Sequence, residues 1–308
     1  MGFYAPSTIV EDAKRHGVEI RPVDLLHSDW DCSIEAGGVP VRAAEPTDTG
    51  HTIRMGLRYV KGLSRTEALR IISARNAADF DGLEQDPRDR DQRMSLIRRF
   101  LKQARVRKDR LAHLAQSGAF TGMGISRRDA LWLVLGPSAG IGDAVQAEQE
   151  MDLDSAFTPQ LDALGRFDEI RWDYIHSMHS ASGHPVEAHR SVLMEQDIPS
   201  ASRILSCAHG TRVRYAGLII CRQHPATANG TVFLTLEDET GFVNLIIWKK
   251  VFQANRRIIL QNAFLGVEGE VQRADGVCNV IVSACFVPRL SGSEHAVSAV
   301  GPVSHDFR

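Results

Sequence analysis

Phe233 and Trp248, with Arg222, Lys249 and Lys250 near them along the chain, are side chains suited to recognition rather than bond making. Aromatic faces stack on other flat rings, while guanidinium and ammonium groups pair with anions. A polymer that offers both is a single nucleic-acid strand, whose bases stack while its phosphates run past cations. Read one at a time, either aromatic also suits a core. A second set is built on glycine: Lys61-Gly62-Leu63-Ser64, and Gly122-Met123-Gly124-Ile125-Ser126 followed by Arg127 and Arg128. Glycine lets a backbone approach a phosphate, and the helix that follows brings free N–H groups and the positive end of its dipole. A third set is Arg98, Lys102 and Arg105, which line one face of a helix beside an apolar face of Ile97, Leu101 and Ala104. Contacts of the last two kinds reach phosphate, carry no base sequence, and weaken with salt by about 0.9 counterions per contact on duplex DNA.

These residues need elements to hold them. Five runs alternate or are rich in β-branched residues: Arg212 to Cys221, Thr231 to Glu237, Phe242 to Trp248, Ala263 to Gln272 and Val277 to Val287. Asp238-Glu239-Thr240-Gly241 and Ala274-Asp275-Gly276 read as hairpin turns. Lys249 to Leu260 mixes Val251, Phe252, Ile258 and Ile259 with Lys249, Lys250, Arg256 and Arg257 in a pattern suited to a helix. Three strands, a helix and two strands is the order of an OB barrel. Upstream, the two glycine segments each read as a helix, a hairpin and a second helix. Leu57, Val60 and Leu63 surround the first, and Leu111, Leu114 and Phe120 precede the second. The fold class expected is therefore α+β multidomain: a helical tandem helix-hairpin-helix domain over 51–136, acidic connecting segments over 137–205, an all-β OB barrel over 206–290 and a tail over 291–308. Ser7 to His16 reads as a helix ended by Gly17, Val18 to Val23 as a short strand, and Gly37 to Gly50 as a loop.

A net charge of -2 means that any polyanion must meet a local patch. Arg93 to Arg110 holds eight Lys or Arg against Asp109 alone, whereas Asp143 to Asp173 is acidic with only Arg166 and Arg171 opposing. The five cysteines, at 32, 207, 221, 278 and 285, have no C-x-x-C spacing, which predicts packing roles in a reducing compartment. No stretch reaches the roughly 18 apolar residues of a membrane span, and the N-terminus lacks a signal-peptide pattern; the expected location is the cytoplasm. Glu237-Asp238-Glu239 fits a turn better than a magnesium site. His176, His179, His184 and His189 have no ligand partners at zinc spacing. Gly136 to Gly142 matches no phosphate-binding loop and reads as a linker, and Asp29 and Asp31 lie in a polar segment that suits structure. No metal site and no catalytic residue is assigned.

Several strings together carry a resemblance: Met1-Gly-Phe-Tyr-Ala-Pro, Asp12-Ala-Lys-Arg-His-Gly-Val, Ser28-Asp-Trp-Asp-Cys, Val60-Lys-Gly-Leu, Ser117-Gly-Ala-Phe, Ser126-Arg-Arg-Asp-Ala-Leu-Trp, Phe233-Leu-Thr-Leu-Glu-Asp-Glu-Thr-Gly and Ser304-His-Asp-Phe-Arg. The chain resembles the C-terminal portion of a bacterial C-family error-prone DNA polymerase, a group related to the DNA polymerase III alpha subunit. The resemblance implies that 1–50 is a short α/β remnant of the fingers with a linker. It implies duplex-gripping hairpins at Lys61, Gly62, Gly122 and Gly124, and a barrel near the single-stranded template. The family's full-length members are DNA-directed DNA polymerases whose nucleotidyl transfer uses magnesium on palm aspartates, with a PHP domain before them. This segment is expected to lack those parts, to be inactive alone and to need no cofactor. The partners implied are duplex and single-stranded DNA, the N-terminal polymerase domains, the sliding clamp and damage-response accessory proteins, with no membrane. Ser64 departs from the pattern where a second hairpin glycine would be expected, Phe80 to Leu96 is longer than the family spacing, and Gln160-Leu-Asp-Ala-Leu is similar to a clamp peptide without its terminal aromatic. An autonomous single-strand-binding adaptor and an RNA-binding OB module are the competing expectations.

Overall fold

The structure, a computed structural model, describes residues 5–36, 51–78, 90–136, 161–162, 164–274, 276–290 and 305–307. The Gly37–Gly50 loop, most of the Gly136–Gly142 linker and residues 79–89 lie outside these. Contacts divide the chain into two compact units, Met1–Arg15 with Ser182–Arg308, and His16–Ala181. The division passes through the 1–50 segment that the sequence reads as one remnant.

In the second of these units a three-stranded sheet precedes the helices. Strands β1 (Glu19–Arg21), β2 (Ser33–Ala36) and β3 (His51–Arg54) take the order β1-β3-β2. The first pair is parallel and the second antiparallel. Arg54 and Arg21 both donate to the Glu35 carboxylate, which pulls its pKa down. Helices α2 (Arg65–Ala77), α3 (Arg90–Ala104), α4 (Lys108–Gln116), α5 (Arg127–Leu135) and α6 (Arg166–Ser177) follow. Ala68 and Ile71 of α2, Ile97 and Leu101 of α3, and Leu111 and Leu114 of α4 are all buried. The 3.6-residue spacing of these apolar positions gives each helix its buried face. Asp29 and Asp31 serve structure, accepting from Arg75 and Arg58.

One element differs from expectation. Before the first hairpin stands a single 3₁₀ turn, Leu57–Tyr59, in place of a helix. Leu57, Val60 and Leu63 are all buried, and their spacing of three is the period of a 3₁₀ turn as much as of one helical face.

The other unit is the barrel. Strands β4 (Arg212–Gln223), β5 (Val232–Asp238), β6 (Gly241–Ile247), β7 (Phe264–Ala274) and β8 (Val277–Phe286) run in the order β5-β6-β8-β7-β4, and pairing of β4 with β5 closes the ring. The link from β6 to β8 is parallel and the others are antiparallel. Helix α9 (Lys249–Gln261) sits in the chain between β6 and β7, so the OB order is present. Alternation fills the interior: Leu234 and Leu236 on β5, Val243, Leu245 and Ile247 on β6, Val267 and Val271 on β7, and Val280 and Val282 on β8 share one core. Strand β4 bends through irregular pairing between Ile219 and Cys221, and its last residues also pair in parallel with a short strand β9 (His305–Phe307).

Helices α1 (Pro6–Arg15), α7 (Arg190–Glu195) and α8 (Ala201–Leu205) complete this unit. They explain how Glu237 and Asp238 can both be buried although adjacent strand residues face opposite ways. On one side Arg15 pairs with Glu237 at 3.1 Å and lies over the Phe242 ring. On the other, Arg190 binds Asp238 at 2.9 Å and Glu239 at 2.6 Å, while the Ala201 N–H donates to Asp238. Burial outweighs these cations for Glu237 and lifts its pKa to about 8. The acidic run is thus a hairpin turn fastened from both faces.

The cysteines are all free. Cys285, Cys207 and Cys278 belong to the barrel core or pack against it. Cys32 corrects the packing expectation, because it is exposed.

Candidate nucleic-acid interface

The hairpin Val60–Ser64 is shaped by three local features. Gly62 takes φ +75, in the left-handed region, and a side chain there would strike the Arg110 guanidinium of α4. Both backbone groups of Lys61 are clamped: its N–H donates to the His176 carbonyl and its carbonyl accepts from His113 Nδ1, each at 2.8 Å. Ser64 caps α2, accepting from the Glu67 N–H while the Glu67 carboxylate accepts from the Ser64 N–H. The residue that departs from the glycine pattern therefore completes a capping box. Lys61, Gly62, Ser64, Arg65 and Thr66 are exposed, and the first N–H groups of a helix have no intrahelical acceptor. The result is an exposed turn that carries the Lys61 and Arg65 side chains beside the first N–H groups of α2. Burial, then His113 and Lys61, hold the His176 imidazole down to about 4.

The second glycine segment is more enclosed. Gly124 has φ +72, but Arg93 lies against it and donates to its carbonyl at 3.1 Å. Gly122 is packed against the Asp24 carboxylate, a charge that opposes phosphate. Arg127 corrects the expectation outright. Its guanidinium is buried in an ion pair with Asp173 at 2.7 Å and donates to the Gln116 and Glu169 carbonyls. Burial raises the Asp173 pKa in spite of that cation. Arg128 donates to the Asp162 carbonyl. Of the α3 set, Lys102 and Arg105 are exposed and Arg98 is half-buried. Arg105 lies past the end of α3 with φ +50, in the turn to α4 rather than on a helix face. Arg110 was not foreseen: it reaches Gly62 from another helix, which no local pattern signals.

On the barrel, a cleft of about 350 Å³ opens over β5 and β6, and Phe233 lines it, 36% exposed. The other three predicted barrel contacts lie outside it. Trp248, 53% exposed, is the N-cap of α9, and Lys249 packs its stem against the left-handed turn at Gly230. Arg222 alternates away from the cleft and donates to the Ile259 carbonyl in the last turn of α9. Gln223, Thr235, Asn244 and Asn279 line the cleft instead. Among the described residues no group of three His, Cys, Asp or Glu is placed to hold a metal ion, and no helix is long and apolar enough to cross a membrane.

A clamped glycine hairpin feeding a capped helix, in a chain that also closes an OB ring, defines a two-module protein. Residues 17–130 match the helix-hairpin-helix motif family and residues 213–287 the OB-fold nucleic acid binding domain family. The full chain is similar to proteins named error-prone DNA polymerase. That of Alkalilimnicola ehrlichii is 38% identical over 100% of this chain and 27% of the relative. Those of Methylococcus capsulatus and Caulobacter vibrioides are 36% and 37% identical, each over 91% of this chain and 26% of the relative. The chain is a homologue of the C-terminal region of error-prone DNA polymerases, and spans about a quarter of their length. Among solved structures, asparaginyl-tRNA synthetase from Pyrococcus horikoshii overlaps 32% of this chain and 26% of its own, at 22% identity and a TM-score of 0.26, too slight a likeness to carry an argument.

Proposed function

We propose that this chain is a DNA-holding segment of an error-prone polymerase system, gripping duplex backbone through the Lys61–Ser64 hairpin and single-stranded template through the barrel cleft. The observation that carries the reading is the exposed hairpin itself, fixed by His113 and His176 and followed by a capped helix. That arrangement binds a phosphate without reading a base. Damage-tolerant synthesis, contact with the remaining polymerase domains and recruitment by a sliding clamp belong to the same proposal by way of the resemblance carried by the sequence strings. Nucleotidyl transfer and its magnesium are assigned to the parts of those relatives that this chain does not span.

The test is binding of the purified chain to a primer-template junction, a plain duplex and a single strand over a salt series, with primer extension followed in the same tubes. Junction binding with a steep salt slope and no extension is expected. Extension without added polymerase, or no binding to any of the three, would refute the reading.

A further inference from the structure

Arg110 is held less firmly than Arg54, Arg75 or Arg127 of the same unit. Those three side chains, none more than 13% exposed, each meet a carboxylate, at 2.8, 3.0 and 2.7 Å. Even Arg21, at 34%, meets Glu19 and Glu35 at 3.0 and 2.8 Å. Arg110 is 28% exposed, and among the described residues its guanidinium makes no hydrogen bond and one ion pair, with Asp109 at 3.6 Å. A guanidinium presents five donors in a planar fork. The partner that suits such a fork is an anion able to accept two of them at once.

The place of this side chain matches its chemistry. Arg110 and His113 are three residues apart on α4 and so share one face of it. His113 Nδ1 hydrogen-bonds the Lys61 carbonyl at 2.8 Å, and the Arg110 guanidinium lies over Gly62, its central carbon 3.1 Å from where a Cβ would stand. Gly62 is exposed. The space that glycine leaves free is thus taken by a cation from another helix, between Lys61 and Arg65 along the hairpin.

Two acids stand near, and they differ. The Glu67 carboxylate accepts from the Ser64 N–H and hydroxyl at 3.0 and 2.7 Å, so it is committed to the capping box. Asp109 is the one acid among the eight cations of Arg93 to Arg110. It is 45% exposed and lies 3.2 Å from the Arg107 guanidinium as well as 3.6 Å from that of Arg110. Ion pairs so open to water hold weakly, and a phosphate offers the same charge with more acceptors.

We infer that Arg110 is a phosphate-binding residue of the first hairpin, delivered by α4 over Gly62, and that Asp109 is the internal anion which a DNA phosphate displaces from it. This rests on the proposed duplex grip of the Lys61–Ser64 hairpin and names a residue outside the hairpin that performs it, with the group that restrains it.

The experiment measures the full chain's affinity for a plain fluorescent duplex by anisotropy over a salt series, with urea melts of every variant. Arg110→Gln should weaken binding several-fold and make the slope of log affinity against log salt shallower by about one. Arg110→Lys, which keeps the charge and loses the fork, should restore the slope and part of the affinity. Asp109→Asn should bind several-fold tighter than the parent, a gain that a damaged fold does not produce. In the Arg110→Gln background that gain should largely disappear, because the two side chains act on each other. A parental slope in Arg110→Gln, whatever its melt, or an Asp109→Asn gain of equal size in both backgrounds, would overturn the inference while leaving the hairpin reading in place. Failure of the parent to bind duplex at any salt would remove the hairpin reading itself, and this inference with it.

Discussion

On the proposed reading, the hairpin unit and the barrel would hold a polymer by opposite means. At the hairpin the candidate groups are the exposed Lys61 and Arg65 side chains and the first N–H groups of α2, set beside a turn that glycine makes passable. In the barrel cleft they are amides, a hydroxyl and an aromatic face, with no charge among the lining residues. The first chemistry is strong, long-ranged and screened by salt. The second depends on shape and short-range pairing and is little affected by salt. On that reading, a chain carrying both would stay on DNA through one while responding to bases through the other.

Inside, the two units are alike, since each pairs an arginine with a buried acid, Arg127 with Asp173 and Arg15 with Glu237. The largest expected effect tests whether Arg127 belongs to the interior or to the interface. Arg127→Ala strands the buried Asp173 carboxylate and should cost about 3–5 kcal/mol of the hairpin unit's stability. Urea melts should register that loss. The double variant Arg127→Ala with Asp173→Asn should recover much of it, and its duplex salt slope should match the parent's. A shallower slope with unchanged stability would restore Arg127 to the phosphate contacts.

The barrel unit answers to pH through two buried groups of opposite sign. Glu237 keeps its proton to about pH 8 in the fold, against about 4.5 when unfolded, because burial outweighs Arg15. The fold therefore binds an extra proton between those values, and stability falls as pH rises through that window, by on the order of a few kcal/mol at most. His184 has the opposite sign. It is fully buried and lowered to about 3 from 6.5, so its contribution is lost as pH falls from 6.5 toward 3. Thermal melts between pH 5 and 8.5 should show Glu237→Gln flattening the alkaline limb, with the acid limb kept. An unchanged alkaline limb would mean that Glu237 is ionised beside Arg15.

Much of the barrel was legible in the sequence because alternation is local. The run Thr231 to Glu237 became β5 at Val232–Asp238, and Lys249 to Leu260 became α9 at Lys249–Gln261. Site residues were less legible, for reasons of geometry. Phe233, named from its type and position, lines the cleft, whereas Asn244 and Asn279 meet only when parallel pairing of β6 and β8 sets them side by side. Arg222 has the right chemistry and the wrong alternation, since its neighbours Cys221 and Gln223 face the cleft. Arg127 looks like an exposed cation at a helix start until α6 delivers Asp173 to it. The strands of the small sheet are three or four residues long, too short for a period to appear.

Gly62→Ala should cost about tenfold in duplex affinity, because a left-handed φ is strained for alanine and its Cβ displaces Arg110. Single-strand affinity through the barrel should stay as it was, and equal loss on both substrates would break the division of labour.

The smallest effects define the contrast most sharply. Lys61→Ala removes one exposed cation from the hairpin, so duplex binding should weaken modestly for every sequence, and the slope of log affinity against log salt should become shallower by about one. Phe233→Ala should lower single-strand affinity by about 1–3 kcal/mol at most with no change of slope, since no counterion is released when a base leaves a ring. The two slopes, measured on the same preparation, separate the mechanisms even where the affinity losses are similar. A slope change on Phe233→Ala would mean that phosphates follow the base into the cleft, and the neutral lining would then be serving the sugar-phosphate chain through its amides.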